Sequence, residues 1–253
     1  MLEKYIRLRA KEKGIALMGH IVCGYPSFEA NWEILEEMER AGVDVVEMQF
    51  PFSEPIADGP LFLTANQESL NKGTVVAECF KIMKKASEIF SFKILMMGYY
   101  NTVFKVGEKK FCEMLNENGA CGLIVPDLPI EEGEQLIKLC QETELSFIRL
   151  IAPTNTEKRI GEITMGANGF IYAVARKGVT GAKTSFSNDL EPYLSKLRSY
   201  TEIPIAIGFG ISQKSDIDYL KGKADMAVMG TVVMKTYLSK GKEGVKSFFA
   251  GLK

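Results

Sequence analysis

The sequence predicts an α/β protein folded as a single-domain (β/α)8 barrel over residues 1–253, and three observations predict it. Eight short apolar runs recur along the chain at intervals of roughly 20 to 45 residues, each followed by a charged stretch of helical periodicity. The runs are continuously apolar rather than alternating, which marks strands covered on both faces, as in a parallel sheet. The chain has 253 residues, 46% of them hydrophobic, the usual size of one such barrel. Strands alternating with helices also fit a doubly wound open sheet, and the count of eight units favours closure.

Taken in order, the runs are ALMGHIV at 16–22, VVEMQF at 45–50, KILMM at 93–97, GLIV at 122–125, SFIRLI at 146–151, FIYAV at 170–174, PIAIGF at 204–209 and MAVMG at 226–230. After the first, residues 31–40 place Trp32, Leu35 and Met38 on one helical face, with Ser27 as the N-cap candidate and Gly42 as the terminator. Thr154 with Glu157 has the form of a capping box, and Ser212 is placed to cap a helix running to Leu220. Asp127, before Leu128 and Pro129, reads as a residue at a helix amino terminus. Asn101 and Glu131 read as cap or turn residues. The connections at 51–73 and 175–187 are long, and loops of more than about 12 residues in a compact domain are usually lids or binding elements.

Composition narrows the function. Acidic and basic residues number 32 and 31, with no long block of either sign, so neither nucleic acid nor a membrane surface is an expected partner. The amino-terminal segment is charged and lacks the apolar core of a signal peptide, and no apolar run is long enough to cross a bilayer, so a cytoplasmic protein is expected. Five cysteines (Cys23, Cys79, Cys112, Cys121 and Cys140) form no CxxC pair and read as reduced packing residues. One histidine and no metal-ligand spacing leave no expected metal site.

The chemistry concentrates in VVEMQFPFSEPIADGP, residues 45–60. Glu47 lies among Val45, Val46, Met48 and Phe50, where lost solvation disfavours its charged form and raises its pKa. Asp58, eleven positions later in a Gly/Pro-punctuated loop, can keep its charge. Two acids tuned apart are a signature of proton transfer on a small substrate. A lone Glu in an apolar run also fits a residue that faces a basic partner or water at a strand end. In a barrel, function sits where strands end and the following loops begin. Three glycine turns fall at such places: Gly178 to Gly181, Gly208 to Gly210, and Gly230 with Thr231. Together they suggest a phosphate site built from backbone N–H groups and a helix amino terminus.

The segments GYPS (24–27), FPFSEPIADGP (50–60), YYN (99–101), VPDLPIEE (125–132), APTNTEKRI (152–160), KGVTGAKT (177–184), GFGIS (208–212) and MGTVV (229–233) resemble, in order and along nearly the whole chain, the tryptophan synthase alpha subunit family. The resemblance implies a TIM barrel that cleaves indole-3-glycerol phosphate into indole and glyceraldehyde 3-phosphate, with no metal or organic cofactor of its own. It implies that Glu47 is the general acid/base at indole C3 and the glycerol hydroxyl, and that Asp58 hydrogen-bonds the indole N–H and stabilises positive charge. Tyr172 and Phe209 match pocket-lining residues, although either also reads as plain barrel core. Gly181, Gly210, Gly230 and Thr231 match the phosphate-binding turns, and Thr180 matches a lid residue that closes over Asp58. Arg176 and Lys177 read equally well as solvated loop charges. The implied partner is a PLP-dependent beta subunit that receives indole through a tunnel in an alpha2beta2 complex. Two further readings are a weakly active subunit that serves as an allosteric activator of the beta subunit, and a stand-alone indole-releasing lyase.

Five residues depart from the family pattern. Glu54 replaces the usual Asp in a run that in the family meets the beta subunit. Met48, Gln49 and Phe50 replace a more usual Leu-Gly-Val or Leu-Gly-Phe, and this bulkier strand end and longer acid are expected to reshape that contact. His20 stands where relatives commonly have Phe, either as a satisfied core residue or as a titrating neighbour of Glu47.

Overall fold

A computed structural model describes residues 1–174, 190–208 and 210–252. In chain order the elements are α1 (Leu2–Lys13), β1 (Ala16–Val22), α2 (Phe28–Ala41), β2 (Val45–Gln49), α3 (Pro60–Asn71), α4 (Val76–Ile89), β3 (Lys93–Met97), α5 (Tyr100–Val106), α6 (Glu108–Glu117), β4 (Ala120–Ile124), α7 (Glu134–Glu142), β5 (Ser146–Ile151), α8 (Glu157–Thr164), β6 (Ile171–Val174), α9 (Leu190–Arg198), β7 (Ile205–Gly208), α10 (Lys214–Leu220), β8 (Met226–Met229) and α11 (Thr231–Ala250). The eight strands are parallel and close on themselves in sequence order, with β8 pairing back to β1. The expected (β/α)8 barrel is therefore observed, and each predicted strand lies within two residues of its observed bounds.

Strand parity explains the continuous apolarity. In β2, Val46 and Met48 point outward into the layer between barrel and helices, while Val45 joins the inner core with Met18, Leu95, Ile124, Ile148, Phe170, Ala206 and Met226. The same parity turns Glu47 and Gln49 into the barrel. Register aligns Glu47 with His20 on β1 and with Leu95 on β3, so all three share that interior.

The far end of the barrel is stoppered by α1, an element without an evident sequence signal beyond Leu2 and Ile6 one helical turn apart. Both are buried in the inner cluster. Asp44 anchors this helix. Its carboxylate accepts from Arg9 Nε at 2.6 Å, from Lys13 Nζ at 2.7 Å and from the Leu17 backbone N–H at 2.9 Å.

Local signals were met unevenly. Ser27 caps α2 by accepting from Ala30 N, and Gly42 ends it in the left-handed conformation at φ 77°. The cap of α8 is Thr156, which accepts from Arg159 N, and not Thr154. The cap of α10 is Gln213, with Asp216 accepting from the N–H groups of Ser212 and Gln213, so Ser212 lies one residue outside its expected role. Asp127 does serve a helix amino end, but that of α5 in the preceding unit, where it accepts from Tyr100 N at 2.9 Å. Glu131 pairs with Arg159 of α8, and Asn101 is exposed on α5. The connection after β2 is long, as expected, but from Pro60 it is helical. The buried face of α3 consists of Phe62, Ala65, Asn66 and Ser69, too small and polar to register as an apolar stripe. All five cysteines are free, and four of them are buried. No described helix is long and apolar enough to cross a membrane.

Candidate active site

Glu47 is 2% exposed, and its Oε2 has no hydrogen-bond partner among the described residues. Burial pushes its pKa up to about 8, and the negative charge of Asp58 adds to the effect. At neutral pH this carboxyl is protonated.

Asp58 reaches the same interior from the loop between β2 and α3. That loop is held at both ends. Phe52 N donates to Asn66 Oδ1 at 2.9 Å, and Ala57 N donates to the Tyr99 hydroxyl at 3.1 Å, while the Phe52 and Tyr99 rings stack at 5.1 Å. Asp58 Oδ2 accepts from Gln49 Nε2 at 2.6 Å, from Asn66 Nδ2 at 3.3 Å and from the Tyr99 hydroxyl at 3.3 Å. The loop acid is not the solvated group that its Gly/Pro context suggests, since it is 6% exposed and burial raises its pKa to about 6. The three donors oppose that rise by stabilising the anion, which leaves Asp58 ionised at pH 7. The expected contrast between a neutral and a charged carboxyl is thus present, carried by hydrogen bonds rather than by solvent.

Tyr172 projects from β6 into the same space, packed so closely on Gly208 that a Cβ there would lie 3.0 Å from its ring. Burial pushes the pKa of its hydroxyl well above the usual value, and the carboxyl charges of Glu47 and Asp58 act in the same direction. Gly210 follows β7 with φ 56°, a conformation that favours glycine. Gly230 is the N-cap of α11 and Thr231 its first residue, so the unpaired N–H groups of this helix, which is broken at Gly241, begin beside the barrel mouth. The carboxyl pair, Tyr172, Gly210, Gly230 and Thr231 therefore gather at the carboxyl ends of the strands. Thr180, Gly181 and Phe209, with Arg176 and Lys177, lie outside the described residues.

Two expectations are corrected. Met48, Gln49 and Phe50 are at most 1% exposed, so they present nothing to a partner, and Gln49 bonds inward to Asp58. In the run at 51–55, Ser53 and Glu54 are the exposed residues. His20 does not titrate near neutrality, because burial pushes its pKa down to about 3, against a smaller upward effect of the Gln49 hydrogen bond. The sequence reading also missed Asn66 and assigned no role to Tyr99. The available signal for Asn66 was an amide on the buried face of α3, one turn after Phe62. Among the described residues no group of three or more His, Cys, Asp or Glu side chains is arranged to hold a metal ion.

Comparison with known proteins agrees with this geometry. The sequence matches the family model for the tryptophan synthase alpha chain over residues 6–248. It is 47% identical to the tryptophan synthase alpha chain of Desulfotalea psychrophila over 252 residues, covering 100% of this chain and 99% of that one. The fold superposes on a Mycobacterium tuberculosis tryptophan synthase structure with a TM-score of 0.91 at 26% identity, covering 99% and 96% of the two chains. Tryptophan synthase subunit alpha from Campylobacter jejuni gives a TM-score of 0.82 at 29% identity, covering 95% and 96%. A buried strand glutamate, a loop aspartate beside it and glycine turns at the ends of β7 and β8 thus occur in a chain that belongs to the tryptophan synthase alpha chain family.

Proposed function

We propose that this chain is the carbon–carbon lyase that cleaves indole-3-glycerol phosphate into indole and glyceraldehyde 3-phosphate by a retro-aldol step. The observation that carries the reading is a neutral, buried Glu47 with an unpartnered Oε2, facing an ionised Asp58 at the barrel mouth. Protonated Glu47 gives its proton to indole C3, and the ring nitrogen takes up positive charge that the Asp58 carboxylate stabilises through the N–H. The resulting Glu47 carboxylate removes the proton of the glycerol hydroxyl adjacent to the ring. The carbon–carbon bond then breaks, its electron pair returns to the ring, and the hydroxyl carbon leaves as the aldehyde. One proton is donated and one recovered, so Glu47 ends as it began.

In this reading Tyr172 lines the indole pocket, and Gly210, Gly230 and Thr231 hold the phosphate by backbone N–H groups and the Thr231 hydroxyl. The family resemblance assigns Phe209 to the same pocket, Gly181 to the phosphate and Thr180 to the lid, and these three lie outside the described residues. The reaction as written uses no cofactor on this chain, and PLP belongs to the beta subunit partner of an alpha2beta2 assembly. Ile56 and Phe104, 71% and 66% exposed, support a partner surface there: one lies two residues from Asp58 and the other on the helix that follows Tyr99. A barrel with five free cysteines fits the cytoplasm.

Purified protein incubated with indole-3-glycerol phosphate should release indole, and more of it when beta subunit is added. Glu47→Gln should lower kcat by about 10²–10⁴-fold with substrate affinity nearly kept. Indole release absent with and without beta subunit overturns the lyase reading in favour of an allosteric role, and equal rates in both indicate a stand-alone lyase.

A further inference from the structure

His20 on β1 and Gln49 on β2, two departures from the family pattern on neighbouring strands, are hydrogen-bonded to each other, and Gln49 in turn to Asp58. Chemistry fixes the direction of every bond. The Asp58 carboxylate only accepts, so the 2.6 Å bond comes from the Gln49 amide Nε2. The other end of that amide, Oε1, also only accepts, so the His20 nitrogen 3.0 Å away, Nε2, carries the imidazole proton. The imidazole is neutral, its pKa pushed down to about 3 by burial, and its Nδ1 is therefore a bare lone pair. That lone pair lies 3.8 Å from Glu47 Oε2, the oxygen without a hydrogen-bond partner, and can accept only from a protonated carboxyl.

Neither intermediate group is free to turn over. The His20 ring packs against Phe62, tilted by 32° with centroids 4.4 Å apart, and the Gly230 backbone approaches it so closely that a Cβ there would lie 3.3 Å from Nδ1. The Gln49 Nε2 that donates to Asp58 also lies 3.4 Å from Asn66 Oδ1, which only accepts. A reversed amide would set Oε1 against both of those oxygens.

We infer that His20 and Gln49 are positioning residues that fix, before substrate arrives, which of the two carboxyls holds the proton: Glu47 neutral and Asp58 ionised. With the proton on Asp58 instead, the Gln49 donor would lose its charged acceptor and the bare His20 Nδ1 would face a Glu47 carboxylate with no proton between them. The amide passes polarity and not a proton, so the pair sets the starting state without joining the reaction. This inference rests on the roles given above to Glu47 and Asp58, and it extends them to two residues that touch neither reacting bond.

The test uses the intact chain and exploits its single histidine, which makes the imidazole nitrogen signals unambiguous. Nitrogen-15 NMR of the parent at pH 7 should show the Nε2–H tautomer, and Gln49→Met, which fills the same volume without hydrogen bonds, should give a mixture. The groups facing Asp58 are Glu47 from β2, Tyr99 after β3 and Tyr172 from β6, and of these only Glu47 titrates below pH 9. Loss of the Gln49 donor should therefore move the acid limb of kcat/KM up by about one pH unit, lowering the rate below that limb by up to about tenfold. His20→Phe, which keeps the ring volume against Phe62, should move it the same way by less. The double variant should match Gln49→Met alone, because His20 acts through the amide. Circular dichroism verifies folding, and His20→Phe carries the test if Gln49→Met does not fold. An Nδ1–H tautomer in the parent, an unmoved acid limb in the folded variants or additive shifts in the double variant overturns the inference. A parent without turnover overturns the lyase reading instead, and the tautomer still decides the relay.

Discussion

Glu47→Gln should stabilise the protein in the act of disabling it. Burial raises the Glu47 pKa from an ordinary 4.5 to about 8, whereas in the unfolded chain the group ionises near its ordinary value. Between those two pH values unfolding releases a proton and solvates a charge. The sign follows directly. A group whose folded pKa is the higher one contributes stability that is fully present below pH 4.5 and is lost as pH rises towards 8. Each pH unit in that window removes about 1.4 kcal/mol, so at pH 7 this one side chain costs up to about 3 kcal/mol relative to pH 4.5. The amide has the same shape and no proton to lose. It can also donate to the lone pair on His20 Nδ1, 3.8 Å from the acid oxygen it replaces. The difference in unfolding free energy between Glu47→Gln and the parent should be flat below about pH 4.5 and widen steadily above it. Near neutrality it should reach about 2–3 kcal/mol, or about 4–12 °C in Tm for a chain of this size. Asp58, raised from 3.8 to about 6, gives a slope of the same sign in a lower window and is present in both proteins. Urea unfolding followed by circular dichroism at pH 5, 6, 7 and 8 measures the difference. A difference independent of pH, or one that widens towards acid, would show that Glu47 is not a buried neutral acid, and the proton-transfer order proposed above would fall with it.

The remaining expectations concern turnover. The pH profile of kcat/KM should be bell-shaped, falling below about pH 6 as Asp58 takes a proton and above about pH 8 as Glu47 loses the one it must donate. A rate that keeps rising through pH 9 refutes the acid-first order. Asp58→Asn should cost less turnover than Glu47→Gln and should erase the acid limb, and an acid limb that persists in this variant belongs to another group. Gly210→Asp should raise KM at least about tenfold, because it sets a charge against the phosphate and forces a side chain into φ 56°. An unchanged KM removes Gly210 from the phosphate site.

The barrel was legible because its strands are buried on both faces. Runs such as KILMM and SFIRLI need no partner information to be recognised, and β3 and β5 occupy those positions. The elements that escaped notice do so for physical reasons. Helix α1 has only Leu2 and Ile6 fully buried among charged neighbours, and α3 buries Asn66 and Ser69, polar groups whose value lies in specific hydrogen bonds. In the site, Glu47 stood out because a carboxyl in an apolar run is anomalous by itself. Gln49 and His20 stood out only as departures from the family pattern, and nothing in the sequence showed that their side chains bond to each other while register sets His20 opposite Glu47. Asp58 was placed correctly and its environment misjudged: Gly and Pro announce a loop, but they do not announce that the loop folds inward under Tyr99.

The stopper formed by α1 has a bearing on how the chain is made. Leu2 and Ile6 precede every strand in the chain, yet the inner cluster they complete includes Phe170, Ala206 and Met226, and β1 cannot gain its second neighbour until β8 exists. Asp44 can hold α1 once β2 is made, but the apolar face of the helix is fully covered only when the strands carrying Ala206 and Met226 are in place. A nascent chain arrested anywhere before residue 226 carries an open sheet edge and an incompletely covered helix face together. Quality control would meet a signal at the amino terminus that reports whether the carboxyl-terminal strand has arrived.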